Sequence, residues 1–369
     1  MALSCGIVGL PNVGKSTLFN AISETNKAEA ANYPFCTITP NVGIVPVPDV
    51  RLDALAALYK PVKTTPTSLE FIDIAGLVKG ASTGGGRGNQ FLSEIRQVDA
   101  IVHVVRCFED VNVVHVDGSV DPARDMEVIE TELCLKDLEG VEKRRERTQK
   151  VAKGVGKPAE EGKIELAVLD RVRAGLDAGK PVWSQGFDAE ERLRIADLFL
   201  LTDKPVIYVA NVDEDQLGKS DNLRVQAVRK LADRQGAPTV VICAGLEAEI
   251  AQLPREERAA FLDQSGLTEP GLTKLIHAGY ERLGLITFFT SGTDECRAWT
   301  LHKGQKAPQA AGVIHTDFER GFIKAEICRC EDLLAYGSEA ALREKGLLRI
   351  EGKEYVVQDG DVAHFRFNV

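Results

Sequence analysis

A glycine-rich segment near the start of the chain has the residue types and spacing of a phosphate-binding loop. Gly9-Leu-Pro-Asn-Val-Gly14-Lys15-Ser16 follows a short apolar run and matches the pattern G-x-x-x-x-G-K-[ST]. The glycines allow a tight turn in which backbone N–H groups converge on a phosphate, aided by the helix dipole. Lys15 can then bridge the β- and γ-phosphates, and the Ser16 hydroxyl is a hard oxygen ligand for Mg²⁺. The segment predicts binding of a nucleoside triphosphate.

Two further segments could complete the phosphate and metal site. Asp73-Ile-Ala-Gly76 ends an apolar run, so Asp73 can hold the Mg²⁺ shell while the Gly76 N–H senses the γ-phosphate. The Thr37 hydroxyl could ligate Mg²⁺ only while the γ-phosphate is present, as a switch requires. Thr39 could take that role instead, or Thr37 could be an ordinary loop threonine without a role at the metal. The candidate catalytic residues are Lys15, Thr37, Asp73 and Gly76, and the candidate metal ligands are Ser16 and Thr37.

A fourth segment occupies the place of a base-reading motif. Asn211-Val-Asp-Glu214 follows the run Val-Ile-Tyr-Val-Ala, where G-domain proteins carry N-K-x-D. In that motif the Asp accepts hydrogen bonds from guanine N1 and N2, and the Lys stem covers the ring. Here the two positions hold Glu214 and Val212, and the longer carboxylate cannot lie coplanar with guanine in the same pocket. The segment therefore predicts loss of guanine selectivity.

Asn12, within the phosphate loop, offers two interpretations. Its side-chain oxygen could bind a monovalent cation such as K⁺ beside the phosphates. A hydrogen bond that stabilises the loop explains the residue equally well.

The elements that must position these residues can be read from short apolar runs rich in β-branched residues. Their length and composition are typical of strands buried on both faces of a parallel sheet. The runs are Leu3–Leu10, Leu69–Ile74, Ala100–Arg106, Pro205–Ala210 and Thr239–Ala244. Helical stretches such as Lys15–Thr25 and Gln90–Gln97 lie between them. This alternation predicts a doubly wound, mainly parallel α/β sheet.

The interval from 122 to 201 interrupts this alternation. It is long, charged and rich in Glu, Lys, Arg, Leu and Ala, with a break at Gly154-Val-Gly-Lys-Pro158, which predicts an inserted antiparallel helical hairpin. Between Val141 and Arg173 there are ten Lys/Arg and six Asp/Glu. A solvated helical face or a contact surface for RNA or an acidic partner would explain this local positive charge.

From residue 284 onward the pattern changes to a small α+β domain. Its strand-like runs are Ile286–Thr290, Gly312–His315, Gly321–Ile327, Glu354–Val357 and Ala363–Phe367. One helical stretch, Cys330–Tyr336, lies among them.

Composition limits the classes of protein that the chain can belong to. The 369 residues carry 45 Lys+Arg against 55 Asp+Glu, a net charge of −10, which argues against a general nucleic-acid coat protein. The eight cysteines form no C-x-x-C pair, so neither structural zinc nor a disulfide framework is expected. No apolar run approaches the roughly 18 residues that span a bilayer. The N-terminus has no cationic leader, so we expect a cytoplasmic chain without membrane contact.

Taken in order, the motifs resemble those of the YchF-type Obg-like ATPases. The quoted segments are Gly9-Leu-Pro-Asn-Val-Gly-Lys-Ser, Asn32-Tyr-Pro-Phe-Cys-Thr, Asp73-Ile-Ala-Gly-Leu-Val-Lys-Gly-Ala, Gly88-Asn-Gln-Phe-Leu, Asn211-Val-Asp-Glu and His315-Thr-Asp-Phe-Glu-Arg-Gly-Phe-Ile-Lys-Ala-Glu. The resemblance implies a G domain over 1–283 interrupted by the hairpin at 122–201, and a β-grasp (ubiquitin-like) TGS domain over 284–369. It also implies ATP preferred over GTP, Mg²⁺ dependence and association with ribosomes. We expect RNA contact through the hairpin and the TGS domain, and a monomer.

The resemblance also assigns individual residues. The expected nucleotide-binding residues are Gly9, Asn12, Val13, Gly14, Lys15, Ser16, Thr17, Asn211, Val212, Glu214 and Ala244. Cys243-Ala244 stands where such proteins usually have Ser-Ala, which weakens the hydrogen bonding there but leaves the Ala244 N–H available. Leu77 occupies the place of the glutamine that orients water in Ras-like proteins, so unassisted hydrolysis should be slow. The glycine-rich segment around Arg87 departs from the family pattern.

Three functions remain open at this point. The chain could be a slow ATPase that switches its affinity for a partner, or a ribosome-docking adaptor with nucleotide as a conformational ligand. A GTP-specific translation switch is the third, and Val212 and Glu214 argue against it.

Overall fold

The computed structural model describes residues 3–30, 41–74, 92, 94–110, 112–113, 115–116, 118–219 and 222–368. Its strands are β1 (Ser4–Val8), β2 (Val42–Pro46), β3 (Lys63–Thr65), β4 (Ser68–Asp73), β5 (Ala100–Arg106), β6 (Val206–Asn211), β7 (Thr239–Ile242), β8 (Leu285–Thr290), β9 (Glu295–His302), β10 (Phe322–Arg329), β11 (Arg349–Glu351) and β12 (Asp361–Phe367). Its helices are α1 (Lys15–Ala30), α2 (Val50–Tyr59), α3 (Pro122–Ala152), α4 (Lys157–Asp177), α5 (Ala189–Ile195), α6 (Leu223–Asp233), α7 (Ala244–Gln252), α8 (Arg255–Gln264), α9 (Gly271–Arg282), α10 (Ala307–Ile314), α11 (Thr316–Arg320), α12 (Cys330–Tyr336) and α13 (Glu339–Glu344).

The phosphate loop belongs to a six-stranded sheet with the order β2-β4-β1-β5-β6-β7. The pairs β4–β1, β1–β5, β5–β6 and β6–β7 are parallel. Every residue of β1 and β5 is buried, as the continuous apolar runs predict. The expected doubly wound, mainly parallel α/β sheet is confirmed. Its carboxyl edge collects the loops that follow β1, β5, β6 and β7, where ligands bind in open α/β sheets.

The predicted helical hairpin is confirmed as α3 and α4. The side chain of Asp121 accepts a hydrogen bond from the Arg124 N–H, and Pro122 occupies the first turn, so α3 begins there. Arg145 pairs with Asp170 and Arg173 pairs with Glu142, which shows that the two helices are antiparallel.

A buried carboxylate fastens the base of the hairpin. Asp137 is fully buried, and its two oxygens accept hydrogen bonds at 2.8 Å from the Leu201 N–H, the Thr202 N–H and the Thr202 hydroxyl. Burial raises the pKa of Asp137 and the three donors oppose that shift, so they offset part of the cost of burying the charge and fix α3 to the segment that returns to β6.

The C-terminal part forms a second six-stranded sheet, in the order β11-β10-β12-β8-β9-β3. β8 is antiparallel to β9 and parallel to β12, while β10 is antiparallel to β12 and β11. The buried alanines of α10 pack with Phe288 and Ile327 on one face of this sheet. A mixed sheet with a helix across one face is the expected β-grasp arrangement.

Two expectations for this sheet are wrong. Gly312–His315, predicted as a strand, forms the end of α10 and its C-cap. The helix is favoured because Pro308 lies in its first turn and because the Gln309 side chain accepts a hydrogen bond from the Lys306 N–H. Glu354–Val357 makes a single bridge, between Lys306 and Val356, and no strand.

The chain divides into two compact units, one of Leu3–Ile44 with Glu70–Leu275 and the other of Val45–Leu69 with Ile276–Val369. The second unit includes residues 45–69 because β3 pairs with β9 and because Leu55 of α2 packs with Phe289. The domain boundary between 283 and 284 stays a prediction. Within the described ranges, no helix is both long and apolar enough to cross a membrane.

Candidate nucleotide-binding site

The loop between β1 and α1 has a backbone that its glycines make possible. Gly14 has a φ of +96°, and a Cβ built on it would lie 2.2 Å from the Asn211 Nδ2 atom. A Cβ on Gly9 would lie 2.5 Å from the Val104 carbonyl oxygen. Both positions therefore exclude a larger residue, and the loop backbone closely approaches β5 and the end of β6.

Lys15 has a buried side chain at the centre of the loop. Its Nζ donates a hydrogen bond of 2.6 Å to the Leu10 carbonyl, and the residue is 8% exposed. Burial lowers the pKa of the ammonium group to about 8, and the Asp73 carboxylate acts in the opposite direction. Burial raises the pKa of Asp73, and Lys15 opposes that shift. The cation and the carboxylate are thus close enough to influence each other.

Ser16 and Asp73 have the chemistry that Mg²⁺ requires. Ser16 is exposed at the start of α1, and Asp73 is half-buried at the end of β4, next to β1. A hydroxyl and a carboxylate are hard oxygen ligands, so this donor set fits Mg²⁺. Among the described residues, no group of three or more His, Cys, Asp or Glu could hold a metal by itself. Thr37, Gly76, Leu77 and Arg87 lie outside the described residues.

Asn211 connects three parts of the site. Its Nδ2 donates to the Val13 carbonyl at 2.9 Å, and its Oδ1 accepts a hydrogen bond from the Ala244 N–H at 3.0 Å. The side chain therefore ties the end of β6 to the phosphate loop and to the start of α7. The Ala244 N–H thus donates to Asn211 in this structure, and its availability to a base stays a prediction.

A cavity of about 510 Å³ opens at this edge of the sheet. The expected residues that line it are Asn12, Gly14, Lys15, Ser16, Thr17, Asn211, Val212 and Ala244. Gly9, Val13, Asp73 and Glu214 do not line it. Val13 is buried, whereas Glu214 is exposed at the start of a short 3₁₀ turn.

The cavity has further lining residues that the motifs do not indicate. Phe108, Asp110 and Val113 follow β5, Asp213 follows β6, and Gly245 follows Cys243 after β7. Their position in the chain is the signal that could have found them, since each comes just after a parallel strand that ends at this edge.

A buried guanidinium supports the wall that follows β5. Arg106 is 2% exposed, and its N–H groups point to the carbonyls of Phe108 at 3.3 Å, Asp110 at 3.4 Å and Asn12 at 3.5 Å. The guanidinium also lies 4.4 Å from the centre of the Phe108 ring. Arg106 thus joins the Phe108 wall to the phosphate loop.

This combination defines the class. A phosphate loop opens α1, a carboxylate ends β4 and an asparagine brace ends β6, all at one edge of a mainly parallel sheet. These are the parts of a P-loop nucleotide-binding protein of the GTPase type. Consistent with that class, residues 4–137 match a family described as "50S ribosome-binding GTPase". Residues 285–368 match the YchF-GTPase C-terminal family, described as a protein of unknown function.

Full-length relatives make the assignment specific. The chain is 56% identical to the "Ribosome-binding ATPase YchF" of Bacillus subtilis, 54% to that of Escherichia coli O157:H7 and 53% to that of Haemophilus influenzae, each with 100% of both chains covered. The solved YchF GTPase structure of Schizosaccharomyces pombe superposes with a TM-score of 0.89 at 42% identity, covering 99% of this chain and 97% of that one. The chain belongs to the YchF family.

Proposed function

We propose that the chain is an Mg²⁺-dependent ATPase that hydrolyses ATP slowly and associates with ribosomes. The observation that carries the proposal is the cavity in which Lys15, Ser16 and Asn211 come together. The names of the relatives, ribosome-binding ATPases, support both parts of it. Ribosome association would also agree with the expected cytoplasmic location.

In this proposal the phosphate loop does most of the binding. Lys15 gives up the Leu10 carbonyl and turns its ammonium to the β- and γ-phosphates, while loop N–H groups hold the β-phosphate. Ser16 and Asp73 would hold Mg²⁺, which supplies charge neutralisation at the phosphate oxygens. Thr37 as a further ligand and Gly76 as γ-phosphate sensor remain predictions. So do K⁺ binding by Asn12 and the monomeric state.

Hydrolysis would be limited by the placement of water. Attack in line on the γ-phosphate would be stabilised by Lys15 and by loop N–H groups. Leu77 has an apolar side chain and cannot orient the water. A bound ribosome or cation would have to complete the site, so turnover should be slow without one.

For the base we propose an adenine pocket beside Asn211. Val212 is buried and lines the cavity, so it offers an apolar contact rather than a lysine stem over the ring. Glu214 remains the predicted cause of lost guanine selectivity.

The ribosome-facing surface that we propose is the end of the hairpin. Near its tip lie five exposed cations: Arg147, Lys150, Lys153, Lys157 and Lys163. Within the described ranges none of these five tip cations forms an ion pair, whereas Lys143, Arg145 and Arg173 each pair with a carboxylate. Phosphate groups of RNA are suitable partners for such unpaired charges. A second RNA contact through the TGS-like domain is also part of the proposal.

The direct test is phosphate release from ATP, with and without ribosomes, by the wild type and by Lys15→Ala. We expect slow wild-type turnover that ribosomes accelerate, and loss of both rates in Lys15→Ala. Lys180→Ala, at an exposed lysine outside the cavity, is the control and should behave like the wild type. Ribosome binding without any ATP turnover would instead favour the adaptor function.

A further inference from the structure

A carboxylate that the base-reading motif does not use lies on the nucleotide cavity. In Asn211-Val-Asp-Glu214 the motif assigns recognition of the base to its fourth residue, Glu214. In the structure Asp213 lines the cavity, and Glu214 is exposed and does not line it. Asp213 comes two residues after Asn211, the last residue of β6, so it lines the cavity in the loop that follows β6.

The hydrogen bonds of Asp213 leave one of its oxygens available. Oδ2 accepts a hydrogen bond from the Glu109 N–H at 3.4 Å, which links the loop after β6 to the wall that contains Phe108. Oδ1 accepts no hydrogen bond from any residue that the structure describes. One acceptor therefore remains for a molecule in the cavity.

A carboxylate oxygen that faces the 6-position of the base discriminates between purines. A carboxylate that reads guanine uses both oxygens, one for N1–H and one for the 2-amino group. Adenine presents a 6-amino donor at the position where guanine and hypoxanthine present a carbonyl oxygen. A carboxylate oxygen facing that position accepts a hydrogen bond from adenine and repels a 6-oxo purine, and unsatisfied polar groups in a site give strong discrimination.

We propose that Asp213 is a specificity-determining residue whose Oδ1 accepts a hydrogen bond from the 6-amino group of adenine. The inference rests on the proposed function, because it requires nucleotide in this cavity. It differs from the motif-based prediction, in which Glu214 sets the base preference by failing to read guanine.

Nucleoside diphosphates test the proposal without interference from hydrolysis. We expect wild type to bind ADP about tenfold more tightly than inosine diphosphate, which has a 6-oxo group, and than N6,N6-dimethyl-ADP, which has no donor there. In Asp213→Asn the amide can donate to the 6-oxo group. That variant should therefore gain affinity for inosine diphosphate and lose affinity for ADP. The ratio of its affinity for ADP to its affinity for inosine diphosphate should fall by about tenfold or more. A residue with a merely structural role would not produce such an exchange.

Two control variants are compared with Asp213→Asn, namely Asp215→Asn and Glu214→Gln. Asp215→Asn removes the same charge at an exposed neighbour and should leave the ratio unchanged. The proposal is overturned if wild type binds ADP and N6,N6-dimethyl-ADP equally, if Asp213→Asn keeps the wild-type ratio, or if Glu214→Gln changes the ratio instead. The proposed function fails separately if wild type binds none of these nucleotides or if Lys15→Ala binds them as well as wild type does.

Discussion

At the scale of residues, the site contains a buried ammonium group that would exchange partners if a triphosphate binds as we propose. The Lys15 Nζ donates to the Leu10 carbonyl in the structure, and burial lowers its pKa to about 8. A triphosphate placed beside Nζ would favour the charged form and raise that pKa again. Binding should therefore be coupled to proton uptake at alkaline pH.

This coupling gives a pH dependence with a definite sign. Below about pH 8 Lys15 is already charged, so ATP affinity should be flat. Above about pH 8, ATP must bind the decreasing fraction of protein in which Lys15 is charged, or Lys15 must take up a proton as the complex forms. The affinity for ATP should therefore fall by about tenfold per pH unit. Calorimetry at pH 8.5 in two buffers of different ionisation enthalpy measures the uptake, which should be absent at pH 7. Tight binding at pH 8.5 without proton uptake would contradict the lowered pKa.

The site residues differ in how far the sequence could reveal them. Lys15, Ser16 and Asn211 lie in motifs whose spacing reflects a fixed backbone geometry, so their convergence was predictable. Arg106 lies in none of these motifs, and Asp213 lies in one that gives its position no role, so their roles depend on which loops meet at the sheet edge. The hydrogen bond from the Ala244 N–H to Asn211 could not be predicted, because the sequence does not show which acceptor lies beside that donor.

At the scale of elements, the hairpin separates paired from unpaired charge along its length. Carboxylates of the partner helix or of neighbouring turns neutralise the cations along its body, such as Arg145 and Arg173. The five tip cations remain unpaired among the described residues. A surface of this kind binds a polyanion with an affinity that depends on salt.

Removing part of this charge should weaken ribosome binding. We expect the triple variant Lys150→Gln, Lys153→Gln and Lys157→Gln to bind ribosomes less tightly and to show a smaller salt dependence. The slope of log K against log salt should fall by about 2 to 3 if each lysine contacts one phosphate. Co-sedimentation at several salt concentrations measures both effects.

The matched control removes three cations that are already paired: Lys143→Gln, Arg145→Gln and Arg173→Gln. It carries the same change in net charge on the same hairpin. Equal loss of binding in both triple variants would show that overall charge, rather than the tip surface, is responsible. An unchanged salt slope in the tip variant would remove the tip from the interface.

Element type was predictable where the pattern was long and ambiguous where it was short. The hairpin has two long charged helices with a Gly/Pro break, and both helices were predicted, although the second ends at Asp177. Gly312–His315 is a four-residue apolar run, which periodicity cannot assign to a strand or a helix. The residues that decide it, Pro308 and Gln309, lie outside the run.

At the scale of the whole molecule, the division into compact units adds one feature to the two sheets. Residues 45–69 leave the first unit and supply β3 and α2 to the second. Contacts between residues that are far apart in the sequence, such as Leu55 and Phe289, produce this division. Local sequence patterns cannot predict such contacts. The β-grasp arrangement was predictable only from the family resemblance, because the strand-like runs alone do not specify the order of the strands in the sheet.

We propose that this chain uses the phosphate loop for ATP rather than GTP. The most direct test is competition calorimetry with non-hydrolysable Mg·ATP and Mg·GTP analogues, on the wild type and on Lys15→Ala. We expect tighter binding of the ATP analogue, and loss of binding of both analogues in Lys15→Ala. Tighter binding of the GTP analogue, or binding that survives Lys15→Ala, would contradict it.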